Sequence, residues 1–151
     1  WECFRVPSDN PQYLSLQDTV KMAEKAGGGE HGFRFIQLPY NMYYDQALLA
    51  KNQVFDDEKI SILEAAVRLG IGVFTSIPLM QGRLLNPGVM PEFGDLKPSL
   101  RALQFIRSSP GVIAPLIGQK SAEHIVENME ITKIAPISEN DFLSLIKKLT
   151  S

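Results

Sequence analysis

Apolar residues fall along this chain in two rhythms. Three short runs are nearly continuous in apolar character and rich in β-branched or aromatic residues: Phe33-Arg-Phe-Ile-Gln-Leu38, Ile71-Gly-Val-Phe-Thr-Ser76 and Val112-Ile-Ala-Pro-Leu-Ile117. Half-exposed strands alternate apolar with polar positions, whereas strands covered on both faces read as unbroken runs, so these three are predicted to be buried parallel strands. They recur at intervals of roughly 40 residues, the length of a generous strand–helix unit. Between them, apolar positions take helical spacing. Leu16 to Ala26 brings Val20, Met22 and Ala23 near one face. Lys59 to Leu69 does the same with Ile60, Leu63, Ala66 and Val67, and Gly70 is placed as a C-terminal stop. Ser99 to Ile106 carries Leu100, Leu103 and Ile106 before Pro110-Gly111 ends it. Further on, Ser121 is a natural N-cap for a helix reaching Asn128. Ser138-Glu-Asn-Asp141 resembles a capping box ending in Asp, ahead of Phe142, Leu145, Ile146 and Leu149, with Lys147 and Lys148 suiting the helix C-terminus. The order β-α-β-α-β-α-α is that of an α/β protein with parallel strands.

Two connections are longer than the usual strand-to-helix loop of about 2–6 residues. Pro39 to Glu58 and Gln81 to Pro98 both leave the C-terminal ends of strands, the edge where α/β proteins bind ligands. The first holds Tyr40, Asn41, Tyr43 and Tyr44; the second holds Gly82, Arg83 and a Pro/Gly-rich stretch.

Composition narrows the classes. With 44% hydrophobic and 21% charged residues, 151 residues suffice for one globular domain with a real core. Fifteen basic against seventeen acidic residues leave no excess positive charge for gripping nucleic acid. No apolar run approaches the roughly 18 residues of a membrane span. A single cysteine, Cys3, cannot form an internal disulfide and fits a reducing, cytoplasmic setting. The chain opens Trp1-Glu-Cys-Phe4, with neither an initiator Met nor a signal segment, and is expected to start within a longer protein.

Candidate chemistry sits at the three strand ends. In Phe35-Ile-Gln-Leu-Pro-Tyr-Asn41, a buried Gln37 at the strand mouth would offer two donors and an acceptor to a planar amide or ring, or else serve the loop backbone. In Ser76-Ile-Pro-Leu-Met-Gln-Gly-Arg-Leu84, Pro78 stiffens the exit and Gly82 permits close backbone approach to an anion, although taken in isolation a plain proline-punctuated loop with a glycine turn is the better reading. In Leu116-Ile-Gly-Gln-Lys-Ser-Ala-Glu-His-Ile-Val-Glu-Asn128, a helix N-terminus beside Lys120 makes a plausible phosphate cradle. The P-loop spacing is absent, as is GxGxxG; Gly27-Gly28-Gly29 follows a helix and reads as its end. His31 and His124 lie far apart with no Cys or carboxylate at zinc-ligand spacing, so no metal site is expected. No Ser-His-Asp or Cys-His pairing emerges, and nothing beside the four tyrosines would bring a phenol pKa from about 10 toward neutrality.

Taken in order, the segments IQLPYN, LEAAVRLGIGVF, IPLMQGRL, LRALQFIRSSPGV and LIGQKSAEHIVEN resemble the aldo-keto reductase family, and the resemblance covers essentially the whole chain. It implies a (β/α)8 barrel, a fold of about 250 residues, of which residues 1–151 would be a single C-terminal half-barrel domain. The family's catalytic Asp, Tyr, Lys and His lie on strands two to four and have no counterpart here. The Ser/Thr–Asn type pair that holds the nicotinamide carboxamide would fall ahead of Trp1. The resemblance instead implies the cofactor side of the pocket. Gln37 matches the residue contacting the nicotinamide amide. Ser76 falls where many members stack an aromatic on the nicotinamide, which a serine cannot do. Leu79, Gln81 and Gly82 match the loop over the pyrophosphate, and Gly118, Gln119 and Lys120 the turn receiving the adenosine phosphate. His124, Glu127 and Asn128 match positions around the adenine, with His124 where others use Arg or Gln. Lys120 at a helix N-terminus favours a 2′-phosphate, hence NADPH over NADH.

The implied reaction of a complete member is hydride transfer from NADPH to an aldehyde or ketone, a tyrosine giving the proton. This chain would contribute binding and orientation, inactive by itself, and would self-associate or pair with an N-terminal half, because a half barrel leaves strand edges and apolar interior exposed. Trp1, Phe4, Tyr40 and Tyr43 could line a substrate pocket, or simply pack. A second reading is a non-catalytic cofactor-binding regulatory module or auxiliary subunit. A third, set apart from the resemblance, is a small flavodoxin-like open sheet with helices on both faces.

Overall fold

Serine caps start most of the helices, and glycines in the left-handed region end several segments. The structure, a computed structural model, describes residues 2–150, so Trp1 lies outside the described residues. A 3₁₀ turn over Glu2–Phe4 leads to α1 (Leu16–Gly27), whose first turn is closed by Ser15 Oγ accepting from the Asp18 N–H at 3.1 Å. Gly28, at φ 69°, ends α1, a conformation that a Cβ would disfavour. β1 (Phe35–Pro39) follows, then α2 (Gln46–Leu49) and an antiparallel hairpin of β2 (Gln53–Phe55) and β3 (Glu58–Ile60). Asp56 and Asp57 turn that hairpin at φ 47° and 68°, the left-handed pair that a tight two-residue turn requires. α3 (Ile62–Arg68) begins after Ser61, whose Oγ accepts from the Glu64 N–H at 3.2 Å. The helix expected from Lys59 thus starts later, because residues 58–60 are taken up by strand pairing.

β4 (Gly72–Ser76) leads into a kinked 3₁₀ segment over Met80–Leu85 and then α4 (Pro98–Arg107), β5 (Val112–Pro115) and α5 (Ala122–Met129). A 3₁₀ turn over Glu130–Lys133 precedes α6 (Glu139–Thr150). Ser138 Oγ accepts from the Asp141 N–H at 3.3 Å, one half of the capping box its motif suggested, and donates to the Asp141 carboxylate at 2.7 Å.

The principal sheet is parallel in the order β1-β4-β5, with Gln37 opposite Phe74, Pro39 opposite Ser76 and Thr75 opposite Pro115. Sequential neighbours joined by helices make a progressing strand–helix arrangement, as barrels do, with no reversal of strand order. On one face Ile36, Leu38 and Val73 are buried with Leu63 and Ala66 of α3 and with Phe105 and Ile106 of α4. Phe105 is the hub of this layer, its ring 5.7 Å from that of Tyr40 and 5.4 Å from that of Phe142 on α6.

The other face is bare. Phe35 is 58% exposed and Ile113 52% exposed, with Gly72 between them, and Phe74 leans on Phe35 at 5.6 Å. The expectation that the strands are covered on both faces is therefore corrected. An apolar run reports that both sets of side chains are greasy; it does not supply the second cover. The same bareness excludes the flavodoxin-like arrangement, which would put helices on this face too. Among the described residues no helix is long and apolar enough to cross a membrane.

Candidate functional site

Parallel pairing brings the C-terminal ends of β1, β4 and β5 to one edge, and the sequence-singled residues are carried on that edge or just beyond it. Gln37 lies one pleat below the exit of β1, opposite Phe74, on the bare face. It is exposed rather than buried, and its amide has no hydrogen-bond partner among the described residues. The difference follows from the missing cover, and it leaves all of the amide's bonding capacity for a ligand. Ser76 ends β4 with its hydroxyl shielded from solvent and unpartnered, an uncommon condition for a polar atom.

What holds this edge in place is Asn41, only 1% exposed. Its Nδ2 donates to the Ile77 carbonyl at 3.0 Å, and its Oδ1 accepts from the Tyr43 and Tyr44 N–H groups at 2.9 and 3.0 Å. One side chain therefore shapes the loop after β1 and ties it to the exit of β4. Tyr43 makes a second tie, its hydroxyl donating to the Val89 carbonyl, so the two long connections are bonded to each other. Tyr40 serves the core instead. It is fully buried, its hydroxyl 2.8 Å from Ser109 Oγ, and burial pushes its pKa up, which suits packing and not proton donation. Phe4 is likewise core, so neither lines a substrate pocket.

Beyond β4 the backbone turns left-handed at Ile77 (φ 51°) and again at Met80, Gln81 and Gly82 (φ 50°, 55° and 86°). Three such residues in succession expose backbone groups that a regular helix would hide. Gln81 is exposed, Leu79 is anchored against the small cluster of Leu84, Met90 and Ala102, and a cleft of about 160 Å³ opens between Tyr44, Ile77, Met80, Gln81 and Arg83. A side chain at Gly82 would meet nothing within 4 Å, so this glycine is demanded by its φ and leaves the backbone open to a visitor.

Beyond β5, Gly118, Gln119 and Lys120 are exposed, and Lys120 forms no ion pair among the described residues. Ser121 Oγ caps α5 by accepting from the His124 N–H at 3.3 Å, as the sequence suggested. A free ammonium beside the amino end of an eight-residue helix suits an anion. Along α5, His124 is exposed and Asn128 buried. Glu127 accepts from the Ser99 hydroxyl and lies 3.5 Å from Lys97 Nζ, both at the start of α4. The Ser99 hydroxyl above all, then the Lys97 and His124 charges, hold the Glu127 carboxyl below the usual glutamate range.

The groups on this edge and on the segments that continue from it are an unbonded amide, a left-handed turn, an exposed ammonium at a helix end and an oriented carboxylate. They do not include a poised acid. Among the described residues no group of three or more His, Cys, Asp or Glu is placed to hold a metal ion. Sequence reading passed over Asn41 as a loop organiser and Ser99 and Lys97 as partners of Glu127. Asn after Pro-Tyr is a typical turn-former. Nothing in the chain order connects position 99 with 127.

Fold and edge together define a parallel α/β partial barrel with its candidate site at the C-terminal ends of the strands. No protein-family model matches the chain, and no curated protein matches its sequence. Solved structures match its fold. The thermostable aldo-keto reductase Tm1743, solved with the inhibitor epalrestat, aligns with a TM-score of 0.59 at 15% identity, over 90% of this chain and 46% of that one. The aldo-keto reductase AKR11C1 from Bacillus halodurans, in its holo form, aligns with a TM-score of 0.57 at 17% identity, over 87% and 46% respectively. The chain thus spans about half the length of these aldo-keto reductases, and the likeness is one of fold.

Proposed function

We propose that this chain is the NADP(H)-binding side of an aldo-keto reductase-like oxidoreductase that reduces aldehydes or ketones. What supports the reading is the parallel pairing of β1, β4 and β5, which brings their C-terminal ends to one edge, from which the 79–82 turn and the 118–128 segment continue. Gln37 would bond the nicotinamide carboxamide, the left-handed turn at Gln81 and Gly82 would lie along the pyrophosphate, and Lys120 would take the phosphate on the adenosine ribose. Glu127 and Asn128 would meet the adenine. Ser76 leaves one face of the nicotinamide without an aromatic clamp. When bound, the nicotinamide supplies the hydride; the residues here hold it, and the acid comes from outside this chain. The bare face with Phe35, Phe74 and Ile113 supports a further part of the proposal, that a complementary set of strands covers it, from a second copy or from an N-terminal half.

Calorimetric titration with NADPH and NADH tests the reading. Saturable binding that favours NADPH, weakened roughly tenfold by Lys120→Ala, is expected from loss of a charge-assisted contact. Absence of binding by either nucleotide overturns it. Binding without NADPH consumption, in the presence of an N-terminal half and a set of aldehydes, would instead select a non-catalytic regulatory module.

A further inference from the structure

Away from the strand ends, a cavity of about 720 Å³ opens between α6 and the 91–96 segment. That volume is in the range of about 300–1,000 Å³ that holds a small organic ligand. Every lining residue belongs to α4, to α6 or to the segments 91–96 and 134–137, so the cavity stands apart from the strand-end edge. Both of its loop walls are tied to α4. Arg101 donates to the Leu96 carbonyl at 3.0 Å and to the Pro91 carbonyl at 3.4 Å, holding the first wall at both ends. Arg107 donates to the Ile134 carbonyl, and Ser108 Oγ at the helix end accepts from the Ile137 N–H at 2.9 Å, which holds the second. The cavity is thus shaped before any occupant arrives.

Its lining combines two chemistries. Phe93, Ile137, Leu145 and Leu149 are half-buried and pack against the core, so they offer an apolar surface continuous with it. The polar groups are mostly acceptors. Glu92, Asp95 and Asp141 set three carboxylates against the one ammonium of Lys148. Those of Glu92 and Asp95 have no partner among the described residues. Gln104, only 4% exposed, commits its Nε2 to the Ala135 carbonyl at 2.6 Å, while its Oε1 is shielded from solvent and has no partner. Buried acceptors are ordinarily bonded, so this one leaves the wall short of a donor. The carboxylates are not grouped to hold a metal ion.

We propose that this cavity binds a small organic ammonium ion with an apolar body. The body lies over Phe93, Leu145 and Leu149; the ammonium, with three N–H donors and a positive charge, meets the carboxylates and the Gln104 oxygen. The excess of carboxylates disfavours an anion, and a pure hydrocarbon would leave the Gln104 oxygen unpaired. The proposal shares no residue with the strand-end site and stands independently of the nucleotide-binding reading.

The test titrates the chain with 4-phenylbutylamine, 4-phenylbutan-1-ol and 4-phenylbutyrate, which share an apolar body and differ in the charge at its end. Amide shifts followed by NMR report affinity and place together. The amine is expected to bind about fivefold more tightly than the alcohol, with shifts centred on Gln104, Ile137 and residues 141–149, and the carboxylate more weakly than either. Raising the salt concentration should shrink the amine's advantage. Glu92→Gln, Asp95→Asn and Asp141→Asn together should cut it to about twofold or less and leave the alcohol's affinity unchanged. Gln104→Met keeps the length of the side chain but removes its acceptor, and is expected to weaken the amine about threefold. Absence of saturable amine binding, an amine no better than the carboxylate, or shifts scattered over the surface overturns the proposal. So does an amine advantage that survives neutralisation of the three carboxylates, or amine binding unchanged in Gln104→Met. Should Gln104→Met not fold, having lost its bond to Ala135, the neutralised variant decides, because its three changes lie on exposed side chains.

Discussion

The two faces of the central sheet are built from the same three strands and from similarly apolar residues, yet they live in different solvents. Ile36, Leu38 and Val73 are buried in a layer closed by α3, α4 and α6, while Phe35 and Ile113 stay more than half exposed and Phe74 only half-buried. The difference teaches that strand sequence sets which residues are apolar, but only the surrounding elements decide which of them contribute to stability. Burial against neighbours converts apolar area into free energy at about 25 cal/mol per Å². Area left in water contributes nothing to folding and invites a partner.

Truncating matched aromatics on the two faces should break the symmetry most visibly. Phe105→Ala removes the ring between Tyr40 and Phe142 and is expected to cost about 3–5 kcal/mol in urea denaturation. Phe35→Ala, on the bare face, is expected to cost less than about 1 kcal/mol, and to reduce self-association in sedimentation experiments. Equal losses would mean that the bare face is covered in solution.

Glycines give a finer version of the same comparison. Gly111, at φ 79°, faces the helix layer, where an added Cβ would come 2.8 Å from Val67 Cγ2 and 3.2 Å from the Leu63 carbonyl oxygen. Gly111→Ala should cost about 1–3 kcal/mol by thermal or chemical melting, since both the φ and a backbone atom resist it. Gly72→Ala meets only the tips of Ile113 and Phe35, at 2.2 and 2.8 Å, and both can swing into open space. Its expected cost is below about 1 kcal/mol.

A polar contrast within the helix-covered layer comes from Tyr40→Phe, expected to cost about 1 kcal/mol at neutral pH from the lost bond to Ser109. Burial makes this phenol harder to ionise in the folded chain than in the unfolded one. Its contribution is therefore complete below about pH 10 and is lost as pH rises past that value. Stability of the unsubstituted chain should fall more steeply in that alkaline range than that of Tyr40→Phe, and parallel curves would assign the loss to other groups.

Much of the fold was readable because its signals are local. Ser121 and Ser138 cap helices through their own hydroxyls, Gly70 takes a positive φ just after α3, and each of the three strands falls on a run that the apolar pattern marked, β1 extending one residue past it to Pro39. The hairpin at residues 53–60 was missed because Ile60 also fits the apolar stripe of α3, and a short strand leaves little periodicity to detect. At the candidate site, the segments were legible as strand ends and loops, but their ties were not. Asn41 to Ile77, Tyr43 to Val89 and Ser99 to Glu127 each join residues 28 or more apart, and no spacing rule connects such pairs.

The sequence by itself determined the alternation of strands and helices, the caps and stops, and the types of side chain available at the strand ends, because these depend on a residue and its near neighbours. Only the tertiary structure decided that Gln37 is exposed, that Tyr40 belongs to the core, that Glu127 is held from α4, and that one face of the sheet is bare. Those outcomes depend on what packs against a residue, and packing is a property of elements brought together from distant parts of the chain.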